Sequence, residues 1–177
     1  MTDRRTDAES FETLAMPMLG SLYNFAHWLT HNREEAEDLV QETYLKALKG
    51  FVSFQQGTNF RAWIYRILRN TFLTSRSGLS VKMTVPLDRE EDVIGRPADT
   101  PEAVLLARAD QEMVQNALER LPVQFREVIV LCDIEEMSYQ EIAEMAGIPM
   151  GTVMSRLARA RKSMRELLEE KLRGASK

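Results

Sequence analysis

Along the first third of the chain, apolar residues recur at steps of three and four. Phe11, Leu14, Met18, Leu22, Phe25 and Leu29 form one such stripe, which is the spacing of a helix with a single apolar face. Pro17 falls inside it and predicts a kink. Asn32, followed three residues later by Glu35, predicts a capped start to a second helix that turns Ala36, Leu39, Val40, Thr43 and Ala47 inward. The polar stretch from Phe51 to Asn59 contains Gly57 and reads as a loop. A third helix follows from about Phe60, with Trp63, Ile64, Ile67, Leu68 and Phe72 toward a core.

Periodicity then stops. From Ser75 to Thr100 the chain holds Pro86, Pro97, Gly78, Gly95 and the run Asp88-Arg89-Glu90-Glu91-Asp92, a stretch too long for an ordinary connection inside a compact domain. Thr100-Pro101 restarts a helix, since proline suits the first helical position. Leu106, Met113, Ala117, Leu118 and Leu121 continue its apolar side. Pro122 begins another helix that buries Phe125, Val128, Ile129 and Cys132. The expected fold is all-α, with two small helical domains over residues 1–76 and 101–177 joined by a flexible linker at 77–100. Each domain is near the lower size limit for an independent core, so stability should depend on interfaces.

The most specific local pattern runs from Ser138 to Val153. Ser138 and Glu141 have the spacing of a capping box, Gly147 suits the left-handed residue that ends a helix, and Pro149 permits a new start two residues on. Ala143 is small where two crossing helices would touch, and Val153 supplies the matching apolar contact. This is the pattern of a helix-turn-helix, whose second helix enters the DNA major groove. At about 100° per residue, Val153, Leu157, Ala160 and Met164 share one side, with Gly151, Ser155, Arg159 and Lys162 opposite. Arg156 and Arg159 lead as contacts to guanine or phosphate. The N–H groups near Gly151 and Thr152, without a Ser or Asp cap, are candidate phosphate donors.

Net charge is −4, which taken uniformly argues against nucleic acid, but the distribution reverses that. Residues 33–43 hold five carboxylates against Arg33 alone. Residues 55–87 hold Arg61, Arg66, Arg69, Arg76 and Lys82 with no carboxylate, and residues 151–165 repeat the pattern with five cations. A phosphate-binding face needs local, not total, positive charge. Aromatics and arginines side by side from Phe54 to Asn70 suit unpaired DNA, although a buried aromatic core with solvated arginines fits the same residues. Likewise, the acidic helix at Glu37 to Ala47 fits either a docking site or a solvated face.

Three ordered motifs resemble those of the extracytoplasmic-function (ECF) sigma factors, small initiation subunits of bacterial RNA polymerase. Glu37-Asp38-Leu39-Val40-Gln41-Glu42 resembles the segment by which region two grips the beta-prime clamp helices. Phe60 to Asn70 resembles the promoter-melting, minus-ten-reading element, and Pro149 to Arg161 the region-four recognition helix. The resemblance implies that Asp38, Gln41 and Glu42 contact polymerase. It implies that Phe54 and the loop to Asn59 hold a flipped base, with Arg61, Arg66 and Asn70 nearby. Gly151, Thr152, Ser155, Arg156 and Arg159 would meet the minus-thirty-five element. The implied partners are core RNA polymerase, through the beta-prime clamp helices and the beta flap, promoter DNA, and an anti-sigma factor that holds the two halves occluded. Thr74 departs from the family pattern, where many relatives carry an acidic residue.

Enzymatic chemistry, cofactors and metal are not expected. His27 and His31 lie one helical turn apart without a third ligand, and the single cysteine, Cys132, rules out an internal disulfide and reads as a buried thiol. The longest apolar runs are five residues, against the ~18 needed to cross a bilayer, so no membrane insertion and a cytoplasmic location are expected. The alternative is a standalone helix-turn-helix regulator of duplex operator DNA.

Overall fold

The computed structural model describes residues 4–77 and 101–175, with side chains for 9–77 and 110–174. Most of the expected linker, residues 78–100, lies outside the described residues, as do Thr100 and the side chain of Leu106.

The N-terminal half contains α1 (Arg4–Ala15), α2 (Leu19–Thr30), α3 (Arg33–Gly50) and α4 (Phe60–Ser77). Pro17 breaks the first predicted helix into two rather than bending it: a 3-10 turn over Met16–Met18 separates α1 from α2, because proline cannot donate to the preceding turn. The break re-phases the apolar stripe. Phe11, Ala15, Leu22, Phe25, Ala26 and Leu29 are buried, whereas Leu14, expected inside, is exposed. His31 takes the left-handed conformation and closes α2. Asn32 caps α3 by accepting a hydrogen bond from the Glu35 N–H at 3.0 Å, and the five inward positions of α3 are buried as the periodicity required.

In the C-terminal half, α5 (Pro101–Arg120) leads into α6 (Val123–Ile129). A π-helical turn at Val130–Ile134 carries α6 into the segment before α7 (Tyr139–Ala146), and α8 (Met150–Ala175) completes the fold. Phe125 and Cys132 are only half-buried, while Val128, Ile129, Val130 and Leu131 are buried. Widening to the π spacing rotates the turn so that Val130 and Leu131 point inward and Cys132 moves toward the edge.

Two helical bodies are present, and they pack directly on each other. Helices α2 and α4 lie against α6, the π turn and α7, so buried residues of both halves form one continuous apolar cluster. Each fully buried Leu or Phe contributes roughly 1.5–3 kcal/mol; halves of this size gain much of their stability from sharing the core.

A buried arginine joins the pieces. Arg126 on α6 is 6% exposed. Its guanidinium donates to the carbonyls of Leu118, Glu119 and Leu121 at 2.9, 2.8 and 3.0 Å, at the end of α5 where carbonyls run out of helical donors; the Leu118 oxygen also accepts from the Leu121 N–H at 3.1 Å. It also reaches the Trp28 carbonyl on α2 at 3.4 Å.

Candidate nucleic-acid interface

The helix-turn-helix forms as its residues dictate. Ser138 accepts from the Glu141 N–H at 3.2 Å and Glu141 returns the bond to the Ser138 N–H at 2.9 Å, so both starting donors of α7 are satisfied. Gly147 ends α7 at φ 66°, and the N–H groups of Gly147 and Ile148 both donate to the Ala143 carbonyl, closing the helix in the manner glycine allows. The packed side of α8 holds Val153, Leu157 and Ala160 fully inside, with Met164 half-buried. Gly151, Ser155, Arg159 and Lys162 are exposed on the other side, and Thr152 and Arg156 are half-buried. One expectation fails: the Thr152 N–H is not a free phosphate donor, since it bonds to the Pro149 carbonyl at 2.9 Å, with the Val153 N–H at 3.2 Å from the same oxygen. Pro149 acts as the backbone cap that the sequence lacked in side-chain form. Arg161 is committed as well, pairing with both oxygens of Asp133 at 2.6 and 3.3 Å.

On α3 the three polymerase candidates, Asp38, Gln41 and Glu42, lie together on the outer face and are all exposed. Glu42 pairs with Lys46 at 2.7 Å one turn on. The same face continues into Leu45 and Leu48, 59% and 46% exposed. Asp38 and Gln41 running into the uncovered Leu45 and Leu48 at i, i+3, i+7 and i+10, with Glu42 alongside, give this helix a mixed polar and apolar stripe of the kind that docks on another helix.

The aromatic segment divides. Phe54 stacks on Phe51 with ring centroids 5.7 Å apart and lies 5.0 Å from Trp63 and 5.4 Å from Phe60, so its ring is a half-buried wall of an aromatic cluster. Residues Gln55 to Asn59 stand exposed, shaped by Gly57 at φ 88° and by the Thr58 hydroxyl donating to the Gln55 carbonyl at 2.7 Å. Asn59 caps α4 by accepting from the Ala62 N–H at 3.0 Å. Asn70 is exposed on α4. Thr74, the departure from the family pattern, donates to the Asn70 carbonyl at 2.8 Å, and α4 continues through it to Ser77.

Arg76 of α4 pairs with Glu35 of α3 at 3.2 Å, whereas Arg61, Arg66 and Arg69, with Asn59 just before the helix, face the C-terminal half. Asn59 donates from Nδ2 to Glu141 at 3.0 Å. Arg61 donates to the Glu135 carbonyl and lies 4.0 Å from its carboxylate, which also accepts from the Tyr65 hydroxyl at 2.9 Å. Arg66 donates to the Glu144 carbonyl, and Arg69 pairs with the Glu127 carboxylate. Glu127 and Glu135 are 4% and 8% exposed. Burial pushes both carboxyl groups up; Arg69 and Arg156 oppose it at Glu127, and Tyr65 and Arg61 oppose it at Glu135. Burial, reinforced by Glu135, raises the Tyr65 hydroxyl far above its usual range. Glu127, a carboxylate inside the apolar run of α6, was the available sequence signal, since unpaired charges are almost never buried; Glu135, in the polar run after the π turn, carried none.

His27 and His31 face α5. His31 Nδ1 is 3.7 Å from Glu119, and among the described residues no group of three or more potential ligands surrounds a metal-sized site. Nor is any helix of the described residues long and apolar enough to cross a membrane.

Comparison with known proteins agrees with this arrangement. Residues 14–79 match the family model of sigma-70 region 2, and residues 111–164 match that of sigma-70 region 4. The chain belongs to the ECF sigma factors. It is 35% identical over 161 residues to the ECF sigma factor SigE of Mycolicibacterium smegmatis, covering 90% of this chain and 62% of that protein. It is 39% identical over 151 residues to EcfG of Rhodopseudomonas palustris, covering 84% of this chain and 79% of that one. Among solved structures, the sigma factor RpoE of Bartonella quintana in complex with the anti-sigma factor NepR matches with a TM-score of 0.72. Its identity is 30%, over 91% of this chain and 98% of the other. For this ECF sigma factor, α2–α4 fall in the region-2 match and α6–α7 with the first part of α8 in the region-4 match.

Proposed function

We propose that this sigma factor joins core RNA polymerase and directs it to promoters, with residues 1–76 as the region-2 domain, 77–100 as the linker and 101–177 as the region-4 domain. The observation that carries the reading is the sorting of α8, whose Val153–Leu157–Ala160 side is sealed in the helix-turn-helix while Gly151, Ser155 and Arg159 stand outward. That sorting leaves an arginine and small neighbours free to enter a major groove, where a bidentate guanidinium discriminates guanine. Thr152 and Arg156 contact backbone and base edges at the rim of the same surface. Asp38, Gln41 and Glu42, with the leucines beside them, dock on the beta-prime clamp helices; the beta flap meets region four.

Once duplex DNA is held by α8, the segment from Phe54 to Asn70 captures separated strands. Phe54 forms a fixed wall, the exposed loop and Asn59 read the edge of an extruded base, and Arg61, Arg66 and Asn70 follow the backbone. The polymerase supplies the chemistry, and this chain contributes binding and positioning without an active site of its own, in the cytoplasm where the polymerase works. Because the related RpoE is bound by an anti-sigma factor, we assign such a partner here too. Run-off transcription with core polymerase tests the reading. A transcript dependent on this chain is expected, with weak promoter binding by the chain alone; tight symmetric operator binding without polymerase would instead establish a standalone regulator.

A further inference from the structure

The outward side of α8 has two edges of different chemistry. At about 100° per residue, Gly151, Ser155, Ala158 and Arg159 run down its middle, Thr152 and Arg156 border it on one side, and Met150 and Met154 border it on the other. The methionine edge is apolar and uncovered. Met150 and Met154, one turn apart, are 48% and 52% exposed, and Ala158, one turn further, is exposed as well. Val153, Leu157 and Ala160 already seal the helix-turn-helix from the opposite side, so neither thioether is needed to fill the core. Gly151, Ser155 and Ala158 are short, and nothing lies within 4 Å of the place a Cβ would take on Gly151. Among the exposed residues of the first three turns of α8, the groups that project are therefore the two thioethers and the Arg159 guanidinium.

A recognition helix presents its N-terminal residues to base edges, and in the major groove thymine alone carries a C5-methyl group. A thioether is apolar and polarizable, with a weak acceptor and no donor. It gains by covering that methyl group. Over cytosine it would strip water from the N4 amino group and return no equivalent hydrogen bond, which is costly. We propose that Met154, with Met150 one turn before it on the same edge, reads the C5-methyl group of a thymine in the promoter duplex. Five residues separate Met154 from Arg159, about 7.5 Å along the helix axis, so the thymine lies within about three base pairs of the base that Arg159 meets. Guanidinium groups select guanine; the thioether edge adds selection at an A·T pair. The proposal rests on the assignment of α8 to the major groove in the preceding section, and deepens it by naming a base that the arginines do not choose.

The test uses core polymerase joined by the full chain, with a pool of duplex templates randomised across both promoter elements. Sequencing the transcribed templates is expected to show, in the upstream element, an enriched thymine on either strand within about three base pairs of an enriched guanine. That thymine is then replaced by deoxyuridine, which deletes the methyl group alone. Loss of one buried methyl contact should lower run-off transcription by the parent roughly three- to fivefold. Met154→Ala should transcribe the thymine and uridine templates equally, whereas Met154→Leu, still apolar and long, should keep most of the preference. A role in packing alone would lower transcription from both templates alike and leave their ratio unchanged. An upstream element without thymine in that window overturns the proposal, as does a parent indifferent to the methyl group, or a Met154→Ala variant that still prefers thymine as the parent does. The uridine comparison in the parent needs no variant, so it decides even if Met154→Ala does not fold. A pool with nothing enriched upstream would defeat the major-groove assignment itself; an enriched element blind to uridine would leave that assignment standing and remove only the methionine contact.

Discussion

Replacing Arg126 with methionine isolates the contact that ties the end of α5 to α6. Methionine preserves the length of the apolar stem, so no large cavity opens, and what is lost is the guanidinium. Of its carbonyl partners, Leu118 keeps the bond from the Leu121 N–H, so the oxygens that lose their donor are those of Leu121, bonded in buried surroundings, and Glu119, partly buried. Each buried carbonyl left without a donor costs about 1–3 kcal/mol. Relief from burying a cation returns part of that, and burial already draws the Arg126 pKa below its usual value. The net expectation is a loss of about 2 kcal/mol, which for a chain of this size lowers the melting temperature by roughly 4–8 °C. Thermal unfolding followed by circular dichroism, with a parallel urea titration, measures it. Arg126→Lys should recover only part of the loss, because one compact ammonium does not span three carbonyls as a planar fork does. A methionine variant that melts with the parent would refute the reasoning, and would mean that the end of α5 finds other donors.

Three further outcomes are expected. Arg159→Ala should weaken promoter use by ~1–3 kcal/mol if its exposed guanidinium reads a base; in run-off assays a change below about twofold would remove it from the interface. Asp38→Arg should reduce association with core polymerase in a pull-down while leaving duplex binding by α8 intact, and retained association would remove α3 as the docking face. His31 is drawn down to about 4 by burial, then by the charges of Arg126, His27 and Arg76, with Glu119 opposing at 3.7 Å. A histidine depressed on folding binds fewer protons folded than unfolded between about pH 4 and 6.5, so its contribution is present near neutrality and is lost as pH falls through that window. Partial exposure limits the effect to about 1–2 kcal/mol. Urea midpoints at pH 7 and 4.5 should therefore fall more for the parent than for His31→Gln, and equal falls would dismiss the histidine. The buried carboxyl groups of Glu127 and Glu135, raised on folding, slope the opposite way in both proteins and cancel in that comparison.

Local chemistry made much of this molecule readable from its residues. Ser138 and Glu141 fix the start of α7, Gly147 its end and Pro149 the restart, because each satisfies or removes backbone donors within a few residues of itself. The same holds for the Asn32 cap and for the inward faces of α3 and α8, where one periodicity specifies both helix and buried side. Tertiary structure alone decided where charges went. Nothing local says that Arg61, Arg66 and Arg69, more than 50 positions before their acceptors, close on Glu135, Glu144 and Glu127, or that Arg126 turns inward to finish another helix. A cation's partner is set by whatever surface the apolar faces bring opposite it, and that surface exists only after the two halves have packed.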